Sequence, residues 1–377
     1  MAADGEHSQR LLVRGVNWLG DAVMSTPAMQ RLREARPSAH ITLLTPEKLA
    51  GLWEHHPALD AILTFSPRES VFGLARRLRA RGFSTALVLP NSPRSALEAC
   101  LAGVPERIGY RRPWRNLFLT RTIDLPAEAV SMRRRSAGEI KRLVASPRQS
   151  PAIPPGAHHL YHYLHLAAAL GAKPEPLPPM IAVSPEEVSA IRNRFRFDKG
   201  SSAPRLLFGL NAGAEYGPAK RWPRQRFVEA AQILQRRTGC GWWIFGAPAE
   251  REMGAALATE IQTGGQLMAG SARSLAGQTT LRELCAAMKC CDLMLSNDSG
   301  PMHLAAAVGT RVVALFGSTS PELTGPGLPG DKKHRVLRVE VPCAPCFRRE
   351  CPIDFRCLEG LNVEKVVSAV EALLHAP

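Results

Sequence analysis

Apolar and polar positions follow two rhythms along this chain. In the first hundred residues, short apolar runs ("LLVRG", "HITLLT", "DAILTF", "TALVLP") are separated by stretches such as "SVFGLARRLRARG" and "SPRSALEACLAG". The short runs predict strands, and apolar positions recurring every three or four residues predict helices. Their alternation predicts parallel βαβ units with helices on both faces of the sheet. The alternation resumes at about residue 204. There "RLLFGLNAG", "GWWIFGA", "DLMLSND" and "RVVALFG" read as strands, with "WPRQRFVEAAQILQRR", "TTLRELCAAMK" and "PMHLAAAVG" as helices. The expected fold is α/β: two doubly wound, Rossmann-like domains facing each other across a cleft. Residues 146–185 break the rhythm, with prolines flanking one helix, "HHLYHYLHLAAALG". That composition suits a connection between domains. His158, His162 and His165 share a face of this helix and are expected to line a surface rather than hold a metal.

The chain has 377 residues, enough for two such domains, and 45% of them are hydrophobic against 21% charged. No apolar run approaches the length of a bilayer span, and the start, "MAADGEHSQR", carries no apolar signal core. A cytoplasmic protein is expected. The 48 Lys and Arg against 33 Asp and Glu give a net charge of +15. A field of that sign favours nucleic acid, an anionic membrane surface or a phosphorylated substrate. Arg-rich stretches, "RIGYRRPWR" and "SMRRRS", suggest local patches. Aromatic residues are only 6%, and no stacking module accompanies the arginines, which disfavours nucleic acid.

In open parallel sheets, ligands bind outside the carboxyl ends of strands, so the strand-to-helix turns are the places to look. After the first strand, "GVNWLGDAVMSTPAM" places Asp21 before an amphipathic run. Asp21 is a helix cap or a proton acceptor, and Ser25 or Thr26 before Pro27 offers an alternative cap. In "LSNDSGPMHLAAAVG", Pro301 suits a first helical turn. The helix start is a ready phosphate site, closely approached at Gly300, with Asp298 able to accept sugar hydroxyls and His303 nearby. The competing reading is that Asp298 and Ser299 merely cap that helix. "GAEYGPAKRWP" presents Lys220 and Arg221 as paired cations suited to a diphosphate, with Trp222 and Pro223 fixing the loop. A solvated Lys-Arg pair is the alternative. Neither a Walker-type Gly-Lys-Ser/Thr nor a GxGxxG follows the first strand, which disfavours an ordinary ATPase or dinucleotide enzyme.

Taken in order, "GVNWLGDAVMSTPAM", "GAEYGPAKRWP", "SNDSGPMHLAAA", "ALFGSTSPELTGP" and "CAPCFRRECPIDFRC" resemble the ADP-heptose:lipopolysaccharide heptosyltransferases. The likeness is greatest to members that extend the inner core, and it runs from Leu11 to the final helix. The resemblance implies a GT-B fold, with residues 1–184 as acceptor domain and linker and 185–360 as nucleotide-sugar domain. Residues 361–377 would form a C-terminal helix packing back on the first domain. It implies inverting, metal-independent transfer without a cofactor. Asp21 matches the general base, Lys220 the diphosphate lysine, and Asp298, Ser299, Gly300 and His303 the turn that receives diphosphate and heptose. Glu250 is a candidate for the ribose. The implied partners are ADP-heptose, a phosphorylated inner-core acceptor and the anionic inner leaflet, which a basic monomer without a membrane span would reach peripherally. Another nucleotide sugar, or another step of the same pathway, stays open.

Nine cysteines in a cytoplasmic chain argue against a disulfide scaffold. Five are scattered in apolar contexts and are expected to pack as small hydrophobes. Cys343, Cys346, Cys351 and Cys357 cluster with spacing C-x2-C-x4-C-x5-C. Packing is the default for these four, and a structural zinc site the alternative.

Overall fold

The structure, a computed structural model, describes residues 9–147, 152–196, 206–263 and 271–375. The first eight residues and part of the proline-rich stretch lie outside the described residues. The first sheet comprises β1 (Arg10–Arg14), β2 (His40–Pro46), β3 (Ala61–Phe65), β4 (Thr85–Val88), β5 (Glu106–Tyr110) and β6 (Arg121–Ile123). The second comprises β7 (Leu207–Asn211), β8 (Gly241–Ile244), β9 (Ala272–Ser274), β10 (Leu293–Asn297), β11 (Arg311–Leu315) and β12 (His334–Leu337). Every described pairing is parallel. The central strands are buried on both faces, which is why β1, β4, β7 and β10 read as near-continuous apolar runs.

The strand orders are β3-β2-β1-β4-β5-β6 and β12-β11-β10-β7-β8-β9. Counted from the first strand of each sheet, both are the doubly wound order 3-2-1-4-5-6. Each sheet therefore reverses direction at one place, between β1 and β4 and between β7 and β10. Two strands of the first sheet are absent from the sequence expectation. β5 and β6 lie in and beside the Arg-rich stretch, where charged residues mask a short apolar triplet, Ile108-Gly109-Tyr110. That stretch is also less of a surface patch than expected. Arg115 is fully buried, donating from Nη1 to Tyr110 O at 2.5 Å and from Nη2 to Val88 O at 2.8 Å. Its guanidinium fits because Gly109 has no side chain: a Cβ there would lie 2.4 Å from Nη2.

The chain divides into two compact units, residues up to Ala129 with Gly156–Ile181, and Val130–Pro155 with the chain from Ala182 onward. The chain passes between the units at residues 129–130, 155–156 and 181–182, the last near the expected boundary at 184. Helix Ala137–Ala145 belongs to the second unit because Ile140 packs on Cys343 and Cys346. The expected connecting helix, His159–Ala168, is instead a core element of the first unit, with Leu160, Leu164, Leu166 and Ala167 buried. The C-terminal helix Val363–Leu374 belongs to the second unit. Its apolar face, Val363, Val366, Val367, Val370 and Leu373, is spent in the second unit's own core, against β10, β11 and β12. Among the described residues, no helix is long and apolar enough to cross a membrane.

Candidate active site

In sheets of this order ligands bind at the reversal, here at the carboxyl ends of β7 and β10, and three turns meet there. Asn211, the last residue of β7, is buried and donates from Nδ2 to Gly213 O (3.1 Å), Ser296 Oγ (3.3 Å) and Ser299 Oγ (3.0 Å). It ties the turn after β7 to the turn after β10. Asn297 repeats the device from β10, donating to Ala212 O at 2.7 Å and accepting from Trp222 N at 3.0 Å. Trp222 is buried and donates from Nε1 to Leu361 O at 2.9 Å, so the loop carrying Lys220 is anchored as its sequence suggested.

Lys220 Nζ lies 2.7 Å from Asp298 Oδ2 and 4.8 Å from the centroid of the Tyr216 ring. Asp298 is almost fully buried and also accepts a short hydrogen bond from Thr319 Oγ1. A buried carboxylate so paired is held against the cost of desolvation. Tyr216 donates from its hydroxyl to Phe347 O at 2.7 Å, and Ala219 N donates to Arg349 O at 3.0 Å. The cysteine-rich segment thus clamps the Lys220 loop from behind. Arg221 Nε and Nη2 donate to Ala214 O at 3.2 and 3.0 Å, bracing the loop.

Helix Gly300–Ala307 starts beside this pair, with Ser299 at its cap position but no side-chain cap bond. Ser299 Oγ instead donates to Asn297 O at 3.2 Å. The capping reading of Asp298 and Ser299 is therefore not what their side chains do. Pro301 occupies the first turn and His303 is buried in the second. Glu250, beyond β8, accepts from Ala247 N at 2.8 Å and lies against the bare backbones of Gly213 and Gly246. A Cβ on Gly213 would come within 2.0 Å of its Oε1. The strand-end glycines thus admit a carboxylate beside the Lys220 loop.

In the first unit, Asp21 stands in the first turn of helix Leu19–Met24, after β1. Its side chain is about a third exposed. The helix's cap position is Trp18, and neither Ser25 nor Thr26 caps the following helix, Thr26–Ala35. Ser25 Oγ and Thr26 Oγ1 donate backward to Ala22 O and Val23 O, both at 2.8 Å. Asp21 Oδ1 accepts from Tyr163 Oη at 2.8 Å and lies 3.9 Å from His159 Nδ1. Nearby, at the β1–β4 reversal, buried Arg14 donates from Nε to buried Glu98 at 2.8 Å.

Sequence reasoning missed several of these partners. Tyr163 and His159 sat in a helix read as a linker, and Thr319 and Asn211 gave no signal apart from lying near strand ends. The His face it did single out packs inward. His158 is buried and accepts from Leu160 N, while His162 and His165 flank Tyr110, whose hydroxyl donates to His162 O at 2.6 Å. Burial, then His159, His165 and Arg112, pushes the His162 imidazole down to about 4. All nine cysteines are free thiols. Burial, aided by its three clustered neighbours, pushes the Cys357 thiol up to about 12. Among the described residues, no three His, Cys, Asp or Glu side chains are gathered to hold a metal.

Known proteins share this construction. The family model described as glycosyltransferase family 9 (heptosyltransferase) matches residues 128–355. Lipopolysaccharide heptosyltransferase 2 of Escherichia coli (strain K12) is 30% identical over 337 residues, covering 88% of each chain. The solved E. coli ADP-heptose heptosyltransferase II superposes with a TM-score of 0.75 at 29% identity, over 97% of this chain and 98% of that one. A family 9 glycosyltransferase from Veillonella parvula superposes with a TM-score of 0.76 at 25% identity, over 99% and 98%. The two sheets of like order are thus the GT-B pair of Rossmann-like domains, and this chain belongs to glycosyltransferase family 9, the heptosyltransferases.

Proposed function

We propose that the chain transfers heptose from ADP-heptose to the inner-core heptose of lipopolysaccharide, with inversion at the anomeric carbon. The observation that carries this reading is the Lys220–Asp298 pair at the β7–β10 reversal. It stands in a chain 30% identical to a lipopolysaccharide heptosyltransferase 2. An acceptor hydroxyl attacks C1 from the face opposite the diphosphate. The C1–O bond breaks with its electron pair leaving on ADP, and the hydroxyl proton passes to Asp21. Negative charge develops on the diphosphate, and in this reading Lys220 and the start of helix Gly300–Ala307 receive it. That supply of positive charge from the protein supports a reaction needing no divalent cation. Asp298 then exchanges Lys220 for heptose hydroxyls, with Ser299, Gly300 and His303 completing the turn, while Arg221 braces the loop. Glu250, beside the Lys220 loop, is assigned to the ribose in this reading. The basic chain suits a phosphorylated acceptor at an anionic membrane surface.

The test is transfer from ADP-heptose to a heptose-bearing lipid A–core acceptor, with and without chelator. Chelator-insensitive turnover is expected, whereas turnover only with a different nucleotide sugar would replace the donor assignment. Asp21→Asn should lose roughly 10²–10⁴-fold in kcat, the usual contribution of a general base, with donor KM little changed. Lys220→Ala should raise donor KM by about tenfold or more, as loss of a charge-assisted contact does. Unaltered ADP binding in that variant would remove Lys220 from the diphosphate site.

A further inference from the structure

We infer that Tyr163 is the positioning residue for Asp21: it fixes the plane of the carboxylate and keeps it ionised for proton transfer. The inference rests on Asp21 being the base. Helix Leu19–Met24 packs on helix His159–Ala168, and Tyr163 Oη donates across that contact to Asp21 Oδ1 at 2.8 Å. Tyr163 is buried, and burial and then the Asp21 charge hold its phenol well above the ordinary range. A phenol that never ionises at working pH is a permanent donor, and its one proton goes to the carboxylate. Asp21 itself is only partly buried, on a helix of six residues. The hydrogen bond from Tyr163 restricts the χ angles its carboxylate can adopt. A base must hold its lone pair within hydrogen-bond reach of the hydroxyl it deprotonates, and misplacement by about 1 Å costs on the order of a hundredfold.

The groups facing this pair define what a titration would read. His159 Nδ1 approaches the same oxygen at 3.9 Å, and its ring stands 5.1 Å from the ring of His162. His162 is held neutral by burial near pH 7 and adds no charge. Behind Tyr163, the Tyr110 hydroxyl is committed to His162 O. Helix Thr26–Ala35 also packs against His159–Ala168, but its charges turn elsewhere: Arg31 to Glu34 and Glu175 O, Arg33 to Asp60. Tyr163 and His159 thus both bear on the Asp21 carboxylate from this helix.

The full chain is assayed as wild type, Asp21→Asn, Tyr163→Phe and with 3-fluorotyrosine at position 163. Tyr163→Phe should lower kcat by about tenfold to a hundredfold with donor KM within twofold. It should also move the acid limb of kcat to higher pH, because a carboxylate that loses a donor is harder to ionise. The fluorinated phenol keeps the shape and donates more strongly, so its acid limb should move the opposite way. A packing role for Tyr163 would lower thermal stability and leave both limbs in place. Unmoved acid limbs in the two Tyr163 proteins, with Asp21→Asn inactive, overturn the inference and leave the base assignment standing. Full turnover in Asp21→Asn overturns both.

Discussion

Thr319 Oγ1 donates to the same Asp298 oxygen that Lys220 contacts, so this carboxylate is held from two sides in a nearly dry site. Under the proposed function the nucleotide sugar draws the lysine's charge away, whereas the threonine has no reason to leave. Thr319 is therefore expected to keep Asp298 in place when Lys220 turns to the diphosphate. Replacing it by Val keeps the volume and removes the donor, and a hydrogen bond to a charged group contributes about 1.5–3 kcal/mol. Thr319→Val should accordingly raise the donor KM by roughly tenfold, measurable by titrating ADP-heptose, while kcat changes less. An unchanged KM would mean that Asp298 is positioned by Lys220 alone. Legibility differed sharply at this scale. Asp298 and Lys220 were readable because each sits in a turn whose neighbours, Gly300, Pro301 and Trp222, are unusual for a bland surface. Thr319 and Tyr163 were not. A hydroxyl is chosen by what lies opposite in space, and nothing in its local sequence records that partner.

The loop from Gly213 to Trp222 does its positioning through backbone as much as through side chains. Gly217 adopts φ +139°, a conformation that L side chains rarely adopt, and a Cβ there would lie 2.7 Å from Arg349 O. The clash is with backbone, and the same residue accepts from Ala219 N, so relief would pull the loop off its support. Gly217→Ala should therefore displace Lys220 and reduce ADP binding by about tenfold or more while the global melting temperature falls only slightly. A loss of stability with ADP affinity retained would show the loop to be rigid without this clamp. The sequence allowed the loop to be seen as non-helical, through two glycines and a proline. It did not allow the clamp to be seen, since the cysteine-rich segment lies more than a hundred residues away. That segment was read as packing thiols or a zinc site. Its contribution to the candidate site comes from the carbonyls of Phe347 and Arg349.

At the scale of the molecule, the alternation of apolar runs and amphipathic helices was enough for two parallel sheets, because buried central strands must be apolar throughout. The outer strands β6, β9 and β12 escaped notice: each is three or four residues long and only partly buried, so no apolar run marks it. The first unit also carries a liability that composition did not disclose. His56 is buried, its Nε2 has no hydrogen-bonding partner among the described residues, and burial pushes it down to about 4. His162 is depressed to the same value. A histidine whose folded pKa is lowered binds its proton more readily when unfolded, near pH 6.5. Its stabilising contribution is therefore complete above about pH 6.5 and is lost as pH falls toward about 4. Each such group contributes a slope of up to about 1.4 kcal/mol per pH unit in that window. Thermal melts between pH 7.5 and 4.5 should show the melting temperature dropping through this range. His56→Gln, which cannot charge, should melt lower than wild type at pH 7.5 but with a shallower fall in acid, so the two curves converge. Parallel curves would mean that carboxylates alone set the acid sensitivity, and that His56 is reached by water before the unit unfolds.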